Sequence, residues 1–324
     1  MNGEPTKTPE PNATPAPASA EPAQPARLAP ATVVETPFQR FLSEYCESKI
    51  AVVAFFVFLA ILFVAVFAPV ISPQNPYDLG QIDIMDGRLA PGDTTFDGAT
   101  TYWLGTDDQG RDMVSAIFYG LRISLAVGAL SGVIALMLGA IVGLTAAYFG
   151  GKIEAAIMRL VDLQLSFPAI LVALMLLAIL GKGVDKIIIA LVIVQWAYYA
   201  RTVRASALVE REREYIAAAK ALGLSSWRIL LRHLLPNVLP PLIVVGTVQI
   251  ASAIALEATL SFLGIGLPIT EPSLGLLIAN GFDYMLTGKY WISFFPGIAL
   301  LVTIVSINLI GDQLRDVLNP RLRR

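Results

Sequence analysis

The two residue types that most often supply nucleophiles and metal ligands occur once each, as Cys46 and His233. One cysteine allows neither an intrachain disulfide nor a cysteine-based metal cluster, and one histidine excludes a histidine-rich metal site. His233 follows Arg232, and no serine, cysteine or second histidine nearby would complete a catalytic pair. The sequence also lacks a G-x-x-x-x-G-K-[ST] phosphate loop, so we predict a chain that is not an enzyme and does not itself hydrolyse ATP.

The aspartate-rich segment 106–112, "TDDQGRD", raises the question of a calcium site. An EF-hand loop needs oxygen ligands at alternating positions and a bidentate glutamate at position twelve. Arg111 and Met113 interrupt that pattern, and no glutamate follows where one is needed. The segment is therefore predicted to be a polar turn. In it Gly105 and Gly110 would form tight bends, and the aspartates would cap the next helix or pair with the arginine.

These residues belong to a strongly apolar chain. Of its 324 residues, 56% are hydrophobic and 15% are charged, and the mean hydropathy is +0.67. A soluble domain carries about 25% charged residues, and a soluble fold could not bury so much apolar surface. The composition predicts an integral membrane protein. The net charge of −2 gives no broad basic surface, which argues against nucleic acid as a partner.

Six segments reach the roughly 20 apolar residues that a helix needs to cross a bilayer. They are residues 50–71, 119–148, 158–181, 186–208, 237–262 and 293–312. Because lipid cannot pair open backbone groups, such segments cross as helices. The fold class is therefore predicted to be all-α, a polytopic membrane protein with six transmembrane helices in one domain, residues 37–324.

Lys and Arg orient the spans, because they concentrate on the cytoplasmic side of a membrane. They precede the first span, separate spans two and three, surround the connection between spans four and five, and follow the last span. The aspartate-rich loop at 72–118 falls on the opposite side. Both termini are therefore predicted to be cytoplasmic. In an alternative, 158–208 forms one re-entrant hairpin, which would invert everything downstream.

Residues 1–36 precede the spans and are rich in Pro, Ala, Glu and Thr. Prolines interrupt helices and sheets, and the segment has little to bury, so we predict a disordered cytoplasmic tail. It has no apolar run of the kind found in a secretory signal. Glu4, Glu10 and Glu21 argue against a mitochondrial transit peptide.

Glycines in span two have the spacing of a close helix contact. Gly128 with Gly132, and Gly139 with Gly143, each place two glycines on one helix face, where another backbone could approach. Glycine is also common in membrane helices without such a role, and the sequence leaves both interpretations open.

Spans three and five contain residues that depart from a simple apolar composition. In span three, Pro168 predicts a kink, and Arg159 with Asp162 has the spacing of a local ion pair. Glu257 lies in span five, where an ionisable group normally faces the bundle interior or water. It could line a translocation cavity or gate, or it could have a structural or interfacial role.

The stretch 210–236, "EREREYIAAAKALGLSSWRILLRHLLP", interrupts the membrane pattern between spans four and five. A three- and four-residue spacing predicts the apolar stripe of a short helix, formed by Tyr215, Ala218, Ala219 and Leu222. Gly223 would end this helix in a left-handed cap. Ser225 or Ser226 would cap a second helix beginning near Trp227, and Pro236 would open span five. The predicted product is a helix–turn–helix at the cytoplasmic surface, with small alanines exposed to a partner protein.

Ala218-Ala219, Gly223 and Leu235-Pro236 together resemble the "EAA" loop of prokaryotic ABC-importer permeases. In that family the loop forms the coupling helix, which docks into a groove on the ATPase subunit. The resemblance implies an ATPase-coupling loop that contains Tyr215, Ala218, Ala219, Leu222, Gly223, Leu235 and Pro236. The sequence departs from the motif at Ala217, where glutamate is usual, and Glu214 lies one turn earlier.

Three further segments are similar to the C-type subunit of the dipeptide/oligopeptide/nickel branch of these permeases. They are "YWLGTDDQGRDMVSAIFYGLRISL" at 102–125, "LSFLGIGLP" at 260–268 and "NLIGDQLRDVLNPRLRR" at 308–324. Small departures occur at Asn319, where aspartate is more usual, and at Leu274, where tryptophan is common. The resemblance covers roughly residues 40–324.

The resemblance implies a permease subunit in a bacterial inner membrane, with no cofactor of its own. Its partners would be a second homologous permease, two ATP-binding-cassette ATPases that hold ATP and magnesium, a periplasmic solute-binding protein that faces the external loop, and membrane lipid. If Glu257 has the pathway or gate role and not the structural one, it could contact the amino group of a peptide. Peptide is the implied cargo, but nickel chelates, glutathione, haem and opines use similar subunits.

A secondary transporter driven by an ion gradient is the alternative. Such proteins often show internal repeats and carboxylates near the membrane midplane, but no repeat is visible between the halves of this sequence. An intramembrane protease would need His233 beside a serine, or a second aspartate facing Asp162, and the sequence suggests neither. Both classes fit less well than an importer subunit.

Overall fold

The computed structural model describes residues 36–78, 80–95, 98 and 100–318, together with Gly3. The chain divides into two units, Met1–Arg40 and Phe41–Arg324. In the first unit, Thr36 and Gln39 form a reciprocal cap: each side-chain oxygen accepts from the other's backbone N–H, at 3.3 and 3.1 Å. Apart from Gly3 and Thr36, the tail predicted at 1–36 lies outside the described residues, and so does the segment 319–324 with Asn319.

Helices supply the regular structure of the described residues, which form no β-strand beyond two isolated bridges. Their bounds are α1 (Pro37–Cys46), α2 (Lys49–Ile71), α3 (Met113–Phe149), α4 (Gly151–Leu165), α5 (Ala169–Leu180), α6 (Val184–Arg211), α7 (Glu214–Ala221), α8 (Ser226–Arg228), a π-helical segment (Ile229–Leu234), α9 (Leu235–Phe262), α10 (Leu274–Phe282) and α11 (Trp291–Leu318). The predicted all-α class is confirmed.

Five helical stretches are long and apolar enough to cross a membrane: α2, α3, α6, the run Ser226–Phe262 and α11. The bent pair of α4 and α5 completes the sixth. At one end of the bundle, Arg211 Nη1 donates to the Ala147 carbonyl at 2.7 Å, and we call this the α7 end. At the other, the loop end, Gly183 N–H donates to the Gly266 carbonyl at 3.3 Å. The bent pair runs between these ends, and with it counted as one span the helices match the six predicted spans.

The third span differs most from its prediction, because it is broken and not merely kinked. The axes of α4 and α5 meet at 89°. Pro168 supplies no N–H and disfavours helical geometry at the residue before it, so α4 ends at Leu165 and α5 starts after the proline. The predicted ion pair is also wrong: Asp162 Oδ1 lies 2.6 Å from Nη2 of Arg201 on α6, and not against Arg159.

The four glycines of α3 pack against two different helices. A Cβ atom at Gly139 or Gly143 would lie 2.6 or 2.5 Å from a carbonyl oxygen of α6. One at Gly128 or Gly132 would lie 2.6 or 2.8 Å from an isoleucine side chain of α9. The predicted close helix contact is therefore present: it is made against the backbone of α6 and against side chains of α9.

The aspartate-rich segment forms the polar turn that the sequence predicts. Gly105 and Gly110 have φ angles of 78° and 82°, in the region that favours glycine. Asp112 caps α3 by accepting the Ser115 N–H at 2.8 Å. Arg111 and Asp107 form a fully buried ion pair, with Nε 2.6 Å from Oδ2. This pair fixes the turn that leads into the longest helix.

Gly139→Ala tests the contact between α3 and α6. The added methyl would overlap the Trp196 carbonyl, and the shift needed to relieve that overlap should cost roughly 1–3 kcal/mol. We expect the unfolding temperature of the detergent-purified chain to fall by several degrees, as followed by circular dichroism. Gly297→Ala on α11 is the matched control, because beyond the local backbone of its own helix its added Cβ has no neighbour within 4 Å. Equal unfolding temperatures for the two variants would contradict a tight α3–α6 contact.

Candidate functional site

The short helix α7 ends in a glycine motif that closes its last turn. Gly223 has a φ angle of 69°. Its N–H donates to the Lys220 carbonyl at 3.0 Å, and the Leu224 N–H donates to the Ala219 carbonyl at 3.2 Å. These two bonds form a Schellman motif, in which a left-handed residue satisfies carbonyls that would otherwise lack partners. The structure thus places Gly223 where the sequence predicts the end of the helix.

The buried face of α7 differs from the predicted stripe. Ile216 and Ala219 are its buried residues, and they join a hydrophobic cluster that continues into α3, α6 and α9. Tyr215, Ala218 and Leu222 face outward, and Leu222 is 79% exposed. Of the predicted stripe, Ala219 therefore lies on the buried face, and the prediction did not include Ile216. Ile216, three positions before Ala219, was the sequence signal for the correct face.

Tyr215 ties α7 to the two long helices beside it. Its hydroxyl donates to Glu210 Oε2 of α6 at 2.8 Å and accepts from Asn237 Nδ2 of α9 at 3.1 Å. Desolvation and, to a lesser extent, the bond to Glu210 raise the pKa of Tyr215 to about 12. The phenol therefore keeps its proton near neutral pH and remains a donor. α7 is fixed to its neighbours by this bond as well as by its buried face.

The second helix of the predicted helix–turn–helix is continuous with span five. Ser225 occupies the cap position of α8, but its side chain makes no capping bond; instead the Ser226 hydroxyl accepts from Tyr148 at 3.1 Å. The π-helical segment Ile229–Leu234 follows directly. Pro236 cannot supply the N–H of an α-helical turn, and the wider π turn lies just before it. Leu235 is half-buried and Pro236 exposed at the start of α9.

An exposed apolar surface with a basic rim results at the α7 end. We call it the coupling surface and define it as Tyr215, Ala218, Leu222 and Trp227. Trp227 is 63% exposed. Exposed cationic side chains surround these residues, at Arg213, Lys220, Arg228 and Arg232. Exposed apolar patches with a charged rim are typical of protein–protein contacts.

Glu257 lies inside the bundle and is fully buried. Its two carboxylate oxygens accept from Ser124 of α3 and Ser261 of α9, both at 2.8 Å. Ser273, which caps α10, contacts the same carboxyl group. The arrangement joins three helices through one side chain, and the pathway role of Glu257 stays a prediction.

A cavity of about 720 Å³ opens between α6, α9 and α11 toward the α7 end. Its polar lining includes Ser206, Glu210, Asn237, Asp312 and Arg315, and Glu257 is not part of it. No sequence pattern groups these residues, because they come from three helices far apart in the chain. In the described residues, no group of three or more His, Cys, Asp or Glu side chains could hold a metal ion.

Two protein-family models match this chain, one near each end. Residues 135–324 match the family described as binding-protein-dependent transport system inner membrane component, and residues 36–91 match the N-terminal TM domain of oligopeptide transport permease C. The di/tripeptide transport system permease protein DppC of Pseudomonas aeruginosa is 36% identical over 294 residues, which are 91% of this chain and 95% of that protein. A putative peptide transport system permease of Brucella suis is 42% identical over 265 residues, 82% of this chain and 87% of that protein.

A solved structure has the same fold. The MetNI methionine ABC transporter, in an inward-facing conformation, superimposes with a TM-score of 0.53 at 24% identity. The match covers 63% of this chain and 97% of that chain. At this identity the likeness concerns the fold alone.

Glu257→Gln separates a structural from a transport role for the buried carboxyl group. Glutamine keeps the shape, and the serine hydroxyls can rotate to accept from its amide, so we expect near-normal stability and solute uptake. Glu257→Leu should leave serine hydroxyls unpaired, at about 1–3 kcal/mol each, and lower the unfolding temperature. A Gln variant of normal stability that has lost uptake would show that the carboxyl group acts in transport.

Proposed function

The chain belongs to the ABC-importer permeases of the dipeptide/oligopeptide/nickel family, as a C-type subunit, and from this premise we propose that it forms half of the membrane channel of a peptide importer. A separate ATPase would supply the energy, and a periplasmic binding protein would deliver the solute. The chain itself would do no covalent chemistry. The observation that carries the proposal is the coupling surface: a rigid, exposed, apolar element with a basic rim.

In this proposal the α7 end lies in the cytoplasm of a bacterial cell, and the loop end faces the periplasm. The basic residues around α7, and the aspartate-rich loop at the opposite end, support this orientation. Both chain termini would then be cytoplasmic, in the inner membrane. The orientation leaves the coupling surface accessible to a cytoplasmic ATPase.

The proposed mechanism transmits movement through α7 as a rigid body. Ile216 packs into the cluster shared by α3, α6 and α9, so a displacement of α7 moves these helices with it. Closure of two ATPases on ATP would bring together the α7 elements of this chain and of a second permease. The bundle would then exchange between inward-open and outward-open states, a rigid-body change that ligands bias.

Peptide is the cargo that the relatives favour. Two are named peptide or di/tripeptide permeases, but another, from Pectobacterium atrosepticum, is named a glutathione transport system permease at 34% identity over 90% of this chain. Glutathione is itself a tripeptide, so the shared chemistry is a small molecule with amide bonds and charged ends. We propose this class as the cargo.

Leu222→Asp tests the coupling surface. A carboxylate at the centre of an apolar contact would be buried without a partner, so we expect at least about tenfold less ATPase to copurify with the permease. Leu286→Asp is the matched control, because that leucine is also exposed but lies at the loop end. Undiminished ATPase recovery with Leu222→Asp would contradict docking at this surface, and equal loss in both variants would point to misfolding.

The cargo class is tested with the binding protein that copurifies with the assembled importer. We expect mass spectrometry of its retained solute to give small peptides, and dialanine to compete for their binding. Nickel ion alone should not bind to this binding protein. Retention of a nickel chelate, haem or an opine would contradict the peptide assignment and leave the permease role standing.

A further inference from the structure

The break between α4 and α5 exposes backbone groups that lack helical partners. Leu171 and Val172 both donate to the Pro168 carbonyl, at 3.0 and 3.2 Å. The N–H groups of Ala169 and Ile170, like those at the start of any helix, have no carbonyl acceptor within the helix. Within the described residues, no side chain caps this end of α5. The break therefore leaves open hydrogen-bonding positions on the surface of the chain.

Two helices place this break near the middle of the membrane. α5 has 12 residues and ends at Leu180, beside the charged residues Lys182 and Asp185 of the loop end. At 1.5 Å per residue, its start lies about 18 Å below that end. Independently, Gln164 bonds the Ile193 carbonyl, and Ile193 lies nine positions after the first residue of α6, or about 14 Å along it. The hydrocarbon core is about 30 Å thick.

Polar and charged side chains accompany the break on the same surface. We call this the break face and define it as Asp162, Gln164, Ser166, Phe167, Tyr198 and Arg201. Trp196 Nε1 donates to Gln164 Oε1 at 2.8 Å, and a small recess lies between the break and α6. The side chains of the Arg201–Asp162 pair are 53% and 63% exposed. Arg201 is 17 positions into α6, about 26 Å from the loop end, and helix tilt would only bring it closer to that end.

Contact with lipid would be energetically unfavourable for the break face. Irregular backbone at membrane depth occurs only where protein buries it or water reaches it, and a half-exposed ion pair has the same requirement. By contrast, α2 is continuous and carries no charged side chain from Ile50 to Ile71, as a helix suited to lipid contact would. The break face therefore points away from lipid.

We propose that the break face lines a water-filled solute pathway through the membrane. This inference rests on the proposed function and names the part of the chain that meets the solute. An exposed carboxylate, a guanidinium, an amide and the open backbone groups suit a hydrated solute with charged ends and amide bonds. Phe167, 63% exposed at the corner of the break, narrows the pathway beside them.

Thiol labelling of the assembled importer in native membranes tests this assignment. Cys46, the free cysteine, is first replaced by serine, and single cysteines are then introduced as Phe167→Cys and Ser166→Cys. The matched control is Leu59→Cys on α2, which lies 12 positions from the helix end and is 47% exposed. A charged methanethiosulfonate reagent is supplied on both sides of the membrane, without nucleotide and with ATP trapped. Modification is read by mass spectrometry.

Because a hydrated thiolate is the nucleophile that attacks such reagents, displacing methanesulfinate, we expect both break cysteines to react at least about tenfold faster than the cysteine at 59 in one of the two states. Ser166→Cys exchanges one oxygen for sulfur, so it guards against misfolding of the Phe167 variant. Break cysteines as slow as the control would overturn the proposal, because the face would then be covered by lipid or protein.

A second readout separates a pathway from a mere water-filled crevice. Modification at 167 should reduce dialanine uptake by at least about tenfold relative to modified wild-type importer, whose label is on Cys46. Fast labelling with unchanged uptake would overturn the pathway assignment. If the wild-type importer takes up no dialanine, the proposed cargo fails, while the labelling rates still decide whether water reaches the break face.

Discussion

Hydrocarbon offers no partner to a backbone N–H or carbonyl group, and this constraint shapes the whole chain. It is the reason the apolar segments are helical. Because each helix pairs its own backbone groups, α3 can approach α6 and α9 closely at its glycines, which carry no side chain. The constraint also explains why two irregularities in the described helices are informative. One is the break at Pro168, and the other is the π-helical segment before Pro236. Prolines, which supply no N–H, mark both.

The small size of α7 is compatible with a mechanical role because its ends and its inner face are all fixed. An isolated helix of eight residues would not be stable in water. Here the Schellman motif at Gly223 closes one end, Tyr215 bonds α6 and α9, and Ile216 enters the core. A force applied to the outward face therefore reaches three long helices without first unfolding the element that receives it.

The sequence was sufficient for the features that depend on composition and on single-residue chemistry. Apolar length predicted the spans, and Gly223 and the turn around Arg111 behaved as their residue types indicate. Features that depend on contacts across the chain were missed. The spacing of apolar residues in α7 was compatible with either of two helix faces being buried. The packing of Ile216 against α3 and α9 shows which face it is. Asp162 had a basic residue at ion-pair spacing, yet its partner is 39 positions away on another helix. Pro168 indicated a bend, but its extent is set by packing.

The π-helical segment also accommodates an extra residue between α7 and span five. A π turn contains one residue more than an α turn would, so Ile229–Leu234 stores an inserted residue inside an otherwise regular helix. Without the wider turn, the extra residue would rotate everything ahead of it by about 100° around the helix axis, because an α-helix has 3.6 residues per turn. The indole of Trp227 would then face a different side of the helix, so the π turn keeps the orientation of Trp227 relative to span five.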